Sequence, residues 1–402
     1  MNNVFIYDPT ANDTQSKVRG IGRYMQILRE NFSDWIFSSY VPTTHDQRPF
    51  DSFDNSQDKK AQGKPTTFLS PFFNFLSPPL FVRRKYAKQI AVIHDLIPLK
   101  YPEHFPIGLK GNMAVLLNRI ALIHYDTVIT DSVQSKKDII AILHILEKKI
   151  KVIYPCLPKI FTHPKPPTPF PSRVNPSREG IKGVCSQNYL LYVGDATWNK
   201  NLVNLARAIK MQDLPCVFVG KVFSSPNSKF KTLNPNQTPN LQTQNYKHNI
   251  LGFNFSNLFR ICDLEFRFSK QNRWNRELNE FMSLAQGDKR FMFPGFITDE
   301  ELIQLYQNAL CNLLVSRDEG FGFSYLEASS QKCPSILSDI PVLHEISNNT
   351  ALFVDPEDSK SIVSAISSLA HDSPLRNKLI KQSYERSLFF SKESFTSQFS
   401  TL

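Results

Sequence analysis

The sequence of 402 residues lacks several features that would place it in a particular class of protein. No apolar run approaches the roughly 18–20 residues of a membrane span. The first residues, MNNVFIYDPT, lead into a strand-like segment without a basic leader or a cleavage site. We therefore expect a cytoplasmic protein and leave open a peripheral contact with the inner face of the membrane. The six cysteines form no C-x-x-C pair, which favours buried thiols over disulfides or zinc ligands.

Several catalytic signatures are also missing. The sequence contains no G-x-S-x-G, H-E-x-x-H, kinase or P-loop motif, and no Asp-x-Asp pair that could hold a divalent metal. The glycine turn VRGIGRYM (18–25) is not a dinucleotide fingerprint, because Met25 stands where a third glycine is required.

The charge is unevenly distributed. Residues 1–180 hold 24 Lys and Arg against 15 Asp and Glu, a net charge of +9, whereas residues 181–402 hold 23 against 21, or +2. A basic half is usually only a solvated surface, but it also suits an anionic partner such as a membrane or a phosphorylated acceptor. We expect no nucleic-acid partner, because no recognised nucleic-acid motif accompanies the charge.

Short apolar runs alternate with amphipathic segments in both halves of the chain, as in VFIYD (4–8) followed by GRYMQILREN (22–31). Eight prolines between 155 and 180 interrupt the alternation and predict a linker. The pattern predicts two parallel-sheet α/β domains facing each other across a cleft. The predicted division is a first domain (1–156), the linker (157–187), a second domain (188–385) with an insertion at about 221–289, and a tail (386–402) that packs back on the first domain.

Ligands of such sheets bind beyond the carboxyl ends of the strands, so polar and glycine-rich turns at those ends are the candidate sites. The segment SRDEGFGFSYLEAS (316–329) is one of them, with Gly320 and Gly322 permitting close backbone approach to an anion. Ser324 and Glu327 have the spacing of a helix capping box, whereas Glu319 precedes the helix and is not explained by capping.

Three further candidates lie at other predicted strand ends. The glycine turn with Gly20 and Gly22 is either a tight helix start or a site of backbone approach to a phosphate. Lys200 begins a helix after a strand and is either solvated or in contact with a diphosphate. His94 is either a structural histidine or a group that orients a hydroxyl or transfers a proton.

The motifs occur in an order that resembles the GT-B glycosyltransferases, specifically glycosyltransferase family 4 (group 1), which includes mannosyltransferases. The matching segments are RGIGRY (19–24), HDLIPLKYPEHF (94–105), TDSVQSKKDI (130–139), YVGDATWNKNL (192–202), FPGFITDEELIQLYQNA (293–309), EGFGFSYLE (319–327), DIPVLHEI (339–346) and ALFVDPED (351–358).

The resemblance implies two Rossmann-like domains and retaining transfer of a sugar, mannose or a related hexose, from a nucleoside-diphosphate sugar to a glycan or lipid-linked acceptor. No metal and no other cofactor is implied. Under this resemblance Glu319 faces the donor sugar, Lys200 neutralises the leaving diphosphate and His94 contacts the sugar or acceptor. The implied donor-binding residues are Gly20, Gly22, Asp195, Asn199, Lys200, Gly320, Phe321, Gly322 and Glu327, with Glu327 on the ribose.

Two positions depart from the family pattern: Asp195 stands near the place of a common arginine, and Lys332 replaces a common glycine. Two alternatives stay open at this point. One is a catalytically inactive partner protein that binds nucleotide-sugars, and the other is a GT-B-like nucleotide-sugar epimerase.

Overall fold

The alternating apolar runs form two parallel sheets in the computed structural model, which describes residues 4–10, 20–39, 66–162, 188–223, 275–295 and 297–402. Strands such as Lys88–Val92 are buried along almost their whole length, because helices cover both faces of a parallel sheet. The predicted class, two Rossmann-like α/β domains, is confirmed.

The first sheet has six parallel strands in the order β2-β1-β3-β4-β5-β6. The strands are β1 (Val4–Tyr7), β2 (Ile36–Ser38), β3 (Thr67–Ser70), β4 (Lys88–Val92), β5 (Thr127–Thr130) and β6 (Ile150–Val152). The helices of this domain are α1 (Ile21–Asn31), α2 (Ile97–Lys100), α3 (Gly108–Leu122) and α4 (Val133–Leu143). The strand order reverses between β1 and β3, which makes that crevice the switch point of the first sheet.

The second sheet is also parallel and has the order β12-β11-β10-β7-β8-β9. Its strands are β7 (Leu190–Val193), β8 (Cys216–Val219), β9 (Phe291–Met292), β10 (Cys311–Leu314), β11 (Ser335–Ser338) and β12 (Leu352–Val354). Its helices are α5 (Leu202–Lys210), α6 (Arg276–Ala285), α7 (Asp299–Asn308), α8 (Phe323–Ser330), α9 (Pro341–Ser347), α10 (Ser359–His371) and α11 (Ser373–Ser387). The switch point lies between β7 and β10.

The last helix, α12 (Lys392–Ser400), lies against the first domain although the chain reaches it from the second. Its Phe395 and Phe399 are fully buried and pack in one core cluster with Tyr24 and Met25 of α1. The end of the chain thus covers the first domain.

Some elements carry little signal in the sequence. β3, α9, β12 and α12 were not predicted, since each is short or mixes polar with apolar residues. The predicted linker lies mostly outside the described residues, and so does the insertion between 224 and 274. The end of that insertion forms α6, whose Phe281 is buried in the core of the second domain.

The prediction of buried thiols is confirmed for Cys156, Cys216, Cys311 and Cys333, which are buried free cysteines. Cys185 and Cys262 lie outside the described residues. Over the ranges that the structure describes, no helix combines the length and the apolar character needed to cross a membrane.

Candidate active site

The two glycine- and charge-rich segments of the second domain meet at its switch point. The turn after β7 carries Lys200, and the loop after β10 carries Glu319. Since β7 and β10 are hydrogen-bonded neighbours in a parallel sheet, their carboxyl ends open on the same edge. The topology therefore brings together two residues that are far apart in sequence.

Lys200 and Glu319 form an ion pair, with Lys200 Nζ 2.7 Å from Glu319 Oε1. The same carboxylate oxygen accepts a hydrogen bond of 2.6 Å from the Ser316 hydroxyl. Burial alone would lower the pKa of Lys200, but the carboxylates of Glu319, Asp95 and Asp195 outweigh it and raise the pKa. Lys200 is thus a fixed cation in a mostly buried setting.

The turn that carries Lys200 is rigidly anchored. Asn201 adopts a left-handed conformation with φ of 59°, and its side-chain amide donates to the carbonyls of Val315 (3.0 Å) and Pro356 (2.6 Å). Asparagine tolerates this conformation better than most residues. These bonds fix the lysine turn to the end of β10, so the position of Lys200 relative to Glu319 does not depend on the long lysine side chain alone.

The Glu319 loop also contacts the first domain. The carbonyl of Gly320 accepts hydrogen bonds from the hydroxyls of Ser132 (2.8 Å) and Ser135 (3.1 Å). A Cβ atom on Gly320 would lie only 2.8 Å from the carbonyl oxygen of His94. Glycine is therefore required here because the backbones of the two domains approach too closely for any side chain.

His94 lies beside this contact, at the end of β4. Its Nδ1 is 2.5 Å from Asp131 Oδ2, and its Nε2 is 2.9 Å from the carbonyl oxygen of Pro71. Burial would lower the pKa of His94, but Asp131 outweighs this effect and raises the pKa. Both ring nitrogens thus face acceptors, an arrangement that favours the doubly protonated imidazolium and leaves neither nitrogen open as a base.

A second pair of contacts joins the domains at Arg23 of α1. The Arg23 guanidinium donates to both oxygens of Asp299, at 2.7 and 2.9 Å, and its Nε lies 2.8 Å from Glu327 Oε1. The ring of Phe161 lies below the guanidinium at 4.8 Å. Burial would lower the pKa of Arg23, but Glu327 and Asp299 outweigh it and raise the pKa. This buried charge is therefore stable only because both carboxylates are present.

The capping box predicted from Ser324 and Glu327 is wrong. Helix α8 begins at Phe323 and is capped by Gly322 in a left-handed conformation with φ of 108°, without a side-chain cap. Glu327 Oε2 instead accepts a hydrogen bond of 3.1 Å from the Tyr306 hydroxyl, and its other oxygen faces Arg23. For Glu327, the contacts with Arg23 and Tyr306 replace the local bond to the backbone of Ser324 that a capping box would require.

The remaining predicted donor-binding residues stand next to these contacts in the chain. Asn199 is buried and donates to the carbonyl of Asp318 (3.1 Å), and Asp195 accepts from the amide of Ala196 (2.9 Å). Phe321 is buried with its ring 5.7 Å from that of Phe390, so only its backbone can serve a ligand. Gly20 is the residue before α1 and has φ of 54°. Gly22 is buried in the first turn of that helix.

Sequence reasoning missed the residues that connect the domains. Arg23 stands within RGIGRY, and Asp131, Ser132 and Ser135 stand within TDSVQSKKDI, but their partners lie in the other domain or on another strand. Two further contacts join the domains: His104 stacks on Trp198 with ring centroids 3.7 Å apart, and Lys100 Nζ lies 2.8 Å from Asp318 Oδ2. In the sequence, the only indication of these residues was their position in or beside the quoted motifs.

Comparison with known proteins matches residues 182–386, just over half of the chain, to the family of glycosyl transferases group 1. Over 73 residues the chain is 45% identical to the O-antigen chain mannosyltransferase RfbU of Salmonella typhimurium, which covers 18% of this chain and 21% of the relative. Over 81 residues it is 35% identical to the serotype-specific mannosyltransferase WbdA of Escherichia coli, which covers 20% of this chain and 10% of the relative. The matched segments thus span about a fifth or less of these curated relatives.

Solved structures resemble the whole chain. The sucrose-phosphate synthase of Thermosynechococcus elongatus aligns with a TM-score of 0.63 at 16% identity, over 100% of this chain and 98% of that one. Anabaena HepE in complex with UDP and glucose aligns with a TM-score of 0.60 at 14% identity, over 100% and 99%. At these identities the likeness shows the fold alone, a GT-B arrangement of two α/β domains. On the match of its second half, the chain belongs to the glycosyl transferases group 1 family.

Proposed function

We propose that this protein is a retaining, metal-independent glycosyltransferase that moves a hexose from a nucleoside-diphosphate sugar to a glycan or lipid-linked acceptor in surface polysaccharide synthesis. The observation that carries the proposal is the Lys200–Glu319 ion pair at the switch point of the second sheet, in a chain of this family. Mannose is the favoured sugar, because the relatives RfbU and WbdA are both named mannosyltransferases.

Lys200 suits the neutralisation of a leaving diphosphate. Cleavage of the bond between sugar and diphosphate places negative charge on the departing oxygen, and a preorganised cation stabilises that charge most when water is excluded. Lys200 is held in place by its turn and is mostly buried. When Lys200 binds the diphosphate, its present partner Glu319 is expected to be the acidic group nearest to the donor sugar. The hydroxyl of Ser316 keeps the Glu319 carboxylate oriented.

The first domain supplies the positive side of the proposed sugar site. His94, whose ring nitrogens are held between Asp131 and the carbonyl of Pro71, is expected to contact the sugar or acceptor rather than to remove a proton. Gly320 has no side chain and that of Phe321 is buried, so the backbone amides of these two residues are the groups expected to meet the donor. Ribose contact by Glu327 requires that its carboxylate be shared with Arg23 and Tyr306.

Both carboxylate oxygens of Glu327 thus already have partners. This observation favours the principal alternative, a protein that binds nucleotide-sugars without turning them over. The two hypotheses differ in a simple measurement. An enzyme releases nucleoside diphosphate in excess over protein when an acceptor is present, whereas a binding protein shows only a thermal shift. An epimerase converts the donor without any acceptor, which product analysis with donor alone detects.

The proposal is tested by incubating the full chain with GDP-mannose, with other GDP-sugars and with UDP-sugars, in the presence of a lipid-linked glycan fraction. We expect release of one nucleoside diphosphate and a product whose new linkage keeps the anomeric configuration of the donor. Activity that survives EDTA supports metal independence, and loss of activity restored by a divalent cation refutes it. Inversion of configuration refutes the retaining assignment. The proposed partners also include the surface of an anionic membrane, in peripheral contact.

A further inference from the structure

Helix α3 carries an apolar stripe that faces outwards. Leu109, Met113, Leu116, Ile120 and Ile123 have exposed fractions of 70%, 45%, 53%, 42% and 70%. The alternating spacing of four and three residues places all five on one side of the helix. At 1.5 Å per residue the stripe is about 21 Å long. A contiguous exposed patch of this kind is unusual on a protein surface without a partner.

The opposite side of α3 fixes its orientation. Ala114, Asn118 and Ala121 are buried against the domain. The side-chain amide of Asn118 donates to the carbonyls of Ser77 (2.7 Å) and Ala114 (2.9 Å) and lies 3.3 Å from those of Asn74 and Phe75. These contacts anchor the helix, so the apolar stripe cannot turn inwards without breaking them.

The charges on and beside the stripe are mostly basic. Helix α3 contains Lys110 and Arg119 and no acidic residue. Arg119 donates to the carbonyl of Ile142 (3.2 Å) and Lys149 to that of Tyr125 (3.3 Å), so the segment after α4 neighbours the carboxyl end of α3. That segment adds Leu146, which is 61% exposed, and the basic residues Lys148, Lys149 and Lys151. Its one acidic residue, Glu147, is paired with Lys136 at 3.0 Å.

We propose that this face of α3 docks the protein on an anionic lipid bilayer. An outward apolar stripe combined with basic residues is the pattern of a helix that lies in the membrane interface. A second copy of the chain fits the stripe less well, because two α3 helices packed face to face would bring basic residues together without an acidic residue on either helix. An anionic bilayer offers an apolar interior for the stripe and negative charge for the basic residues.

The docking surface lies close in the chain to a contact between the domains. Helix α3 begins four residues after His104, whose ring stacks on that of Trp198 in the second domain. Docking through α3 would therefore hold this contact near the bilayer, where a lipid-linked acceptor is present. The inference builds on the peripheral contact proposed above, but it is tested by binding alone, so its failure and a failure of the proposed chemistry are distinguishable.

The test is cosedimentation of the full chain with vesicles of phosphatidylcholine, alone or mixed with phosphatidylglycerol. The variant carries Leu116→Gln and Ile120→Gln, and the matched control carries Leu388→Gln, a leucine 59% exposed at the end of α11. We expect binding to the mixed vesicles that weakens with salt, a loss of about tenfold or more in the double variant from the removal of two apolar side chains, and no loss in the control.

Two results would overturn the proposal. One is equal binding of wild type and double variant to the mixed vesicles, or no binding of either. The other is a wild-type dimer, seen by light scattering, that dissociates in the double variant while lipid binding is absent. Because Leu116 and Ile120 are exposed, both proteins are expected to unfold at the same temperature. Arg119→Gln, which removes one positive charge from the same surface, should weaken binding at low salt only.

Discussion

Lys200 Nζ and Glu319 Oε1 are 2.7 Å apart, although 119 residues separate them in the chain. At the switch point of the second sheet, this contact pairs one cation with one carboxylate, both mostly buried. A donor diphosphate that enters this site must share Lys200 with Glu319. The pair therefore keeps the lysine charged and placed before any ligand arrives.

Gly320→Ala is expected to lower turnover by about tenfold or more, since small displacements of reacting groups are costly to catalysis. The added Cβ would lie 2.8 Å from the carbonyl oxygen of His94, so the loop that follows Glu319 must move away from the first domain. Ser132→Ala serves as the control, because it removes one hydrogen bond to Gly320, together with the N-terminal cap of α4, without adding an atom. Steady-state kinetics with a donor found in the screen provide the measurement. Unchanged kinetics in Gly320→Ala would show that this close approach does not matter for catalysis.

Arg23→Ala is expected to reduce the free energy of unfolding by about 3–5 kcal/mol, because it leaves Glu327 and Asp299 buried without their cation. The control is Arg84→Ala, whose partner Asp126 is half exposed like Arg84 itself, and whose loss should cost far less stability. Urea unfolding monitored by circular dichroism compares the two variants. Equal losses in both would mean that the buried pair is no stronger than a surface pair.

The stability that His94 contributes should depend on pH. Its pKa is raised above the ordinary value of 6.5, so the protonated form stabilises the fold fully below pH 6.5, and this contribution is lost as the pH rises through the folded-state value. Burial acts against the shift, whereas Asp131 and Asp95 favour it. The difference in unfolding temperature between wild type and His94→Gln should therefore be largest at acidic pH and shrink towards alkaline pH.

His371→Gln is the control for this pH series, since His371 is exposed at the end of α10. His344, whose pKa is also raised, is present in both proteins of the main comparison and does not affect the difference. A difference between wild type and His94→Gln that stays constant or grows with pH would contradict the His94–Asp131 assignment.

Lys332 adopts a left-handed backbone conformation with φ of 60°. Such a conformation costs a residue with a Cβ atom roughly 1–2 kcal/mol. Lys332→Gly and Lys332→Ala both remove the contact of the lysine with the ring of Tyr384, so their difference isolates the backbone. The glycine variant should be more stable than the alanine variant by about 1 kcal/mol in urea unfolding. The reverse order would rule out strain at this position.

The sequence predicted the alternation of strands and helices because buried parallel strands are continuous apolar runs between amphipathic helices. Thr67–Ser70 escaped because it is a four-residue strand that follows a long polar stretch. The capping box at Ser324 failed for a different reason. Gly322 caps the helix through its backbone conformation, and Arg23 and Tyr306 bind Glu327 from a distance in sequence that no local pattern encodes.

The individual residues of the site were predictable from the sequence, but the contacts between them were not. Lys200 and Glu319 were each identified from the end of a strand, and the sheet order explains why they meet. The contacts of Gly320 with Ser132 and of His94 with Asp131 depend on how the domains and strands pack. The local patterns of a single sequence do not reveal that packing.

The most direct test of the account is the release of nucleoside diphosphate from a panel of GDP- and UDP-sugars by wild type, Lys200→Ala and Lys210→Ala. Lys210 lies exposed at the end of α5 and is the matched control. We expect release from at least one donor by wild type and by Lys210→Ala, and a loss of about 10²–10³-fold in Lys200→Ala, the size expected when one group that stabilises developing charge is removed. No turnover of any donor by wild type, or equal turnover by all three proteins, would contradict it.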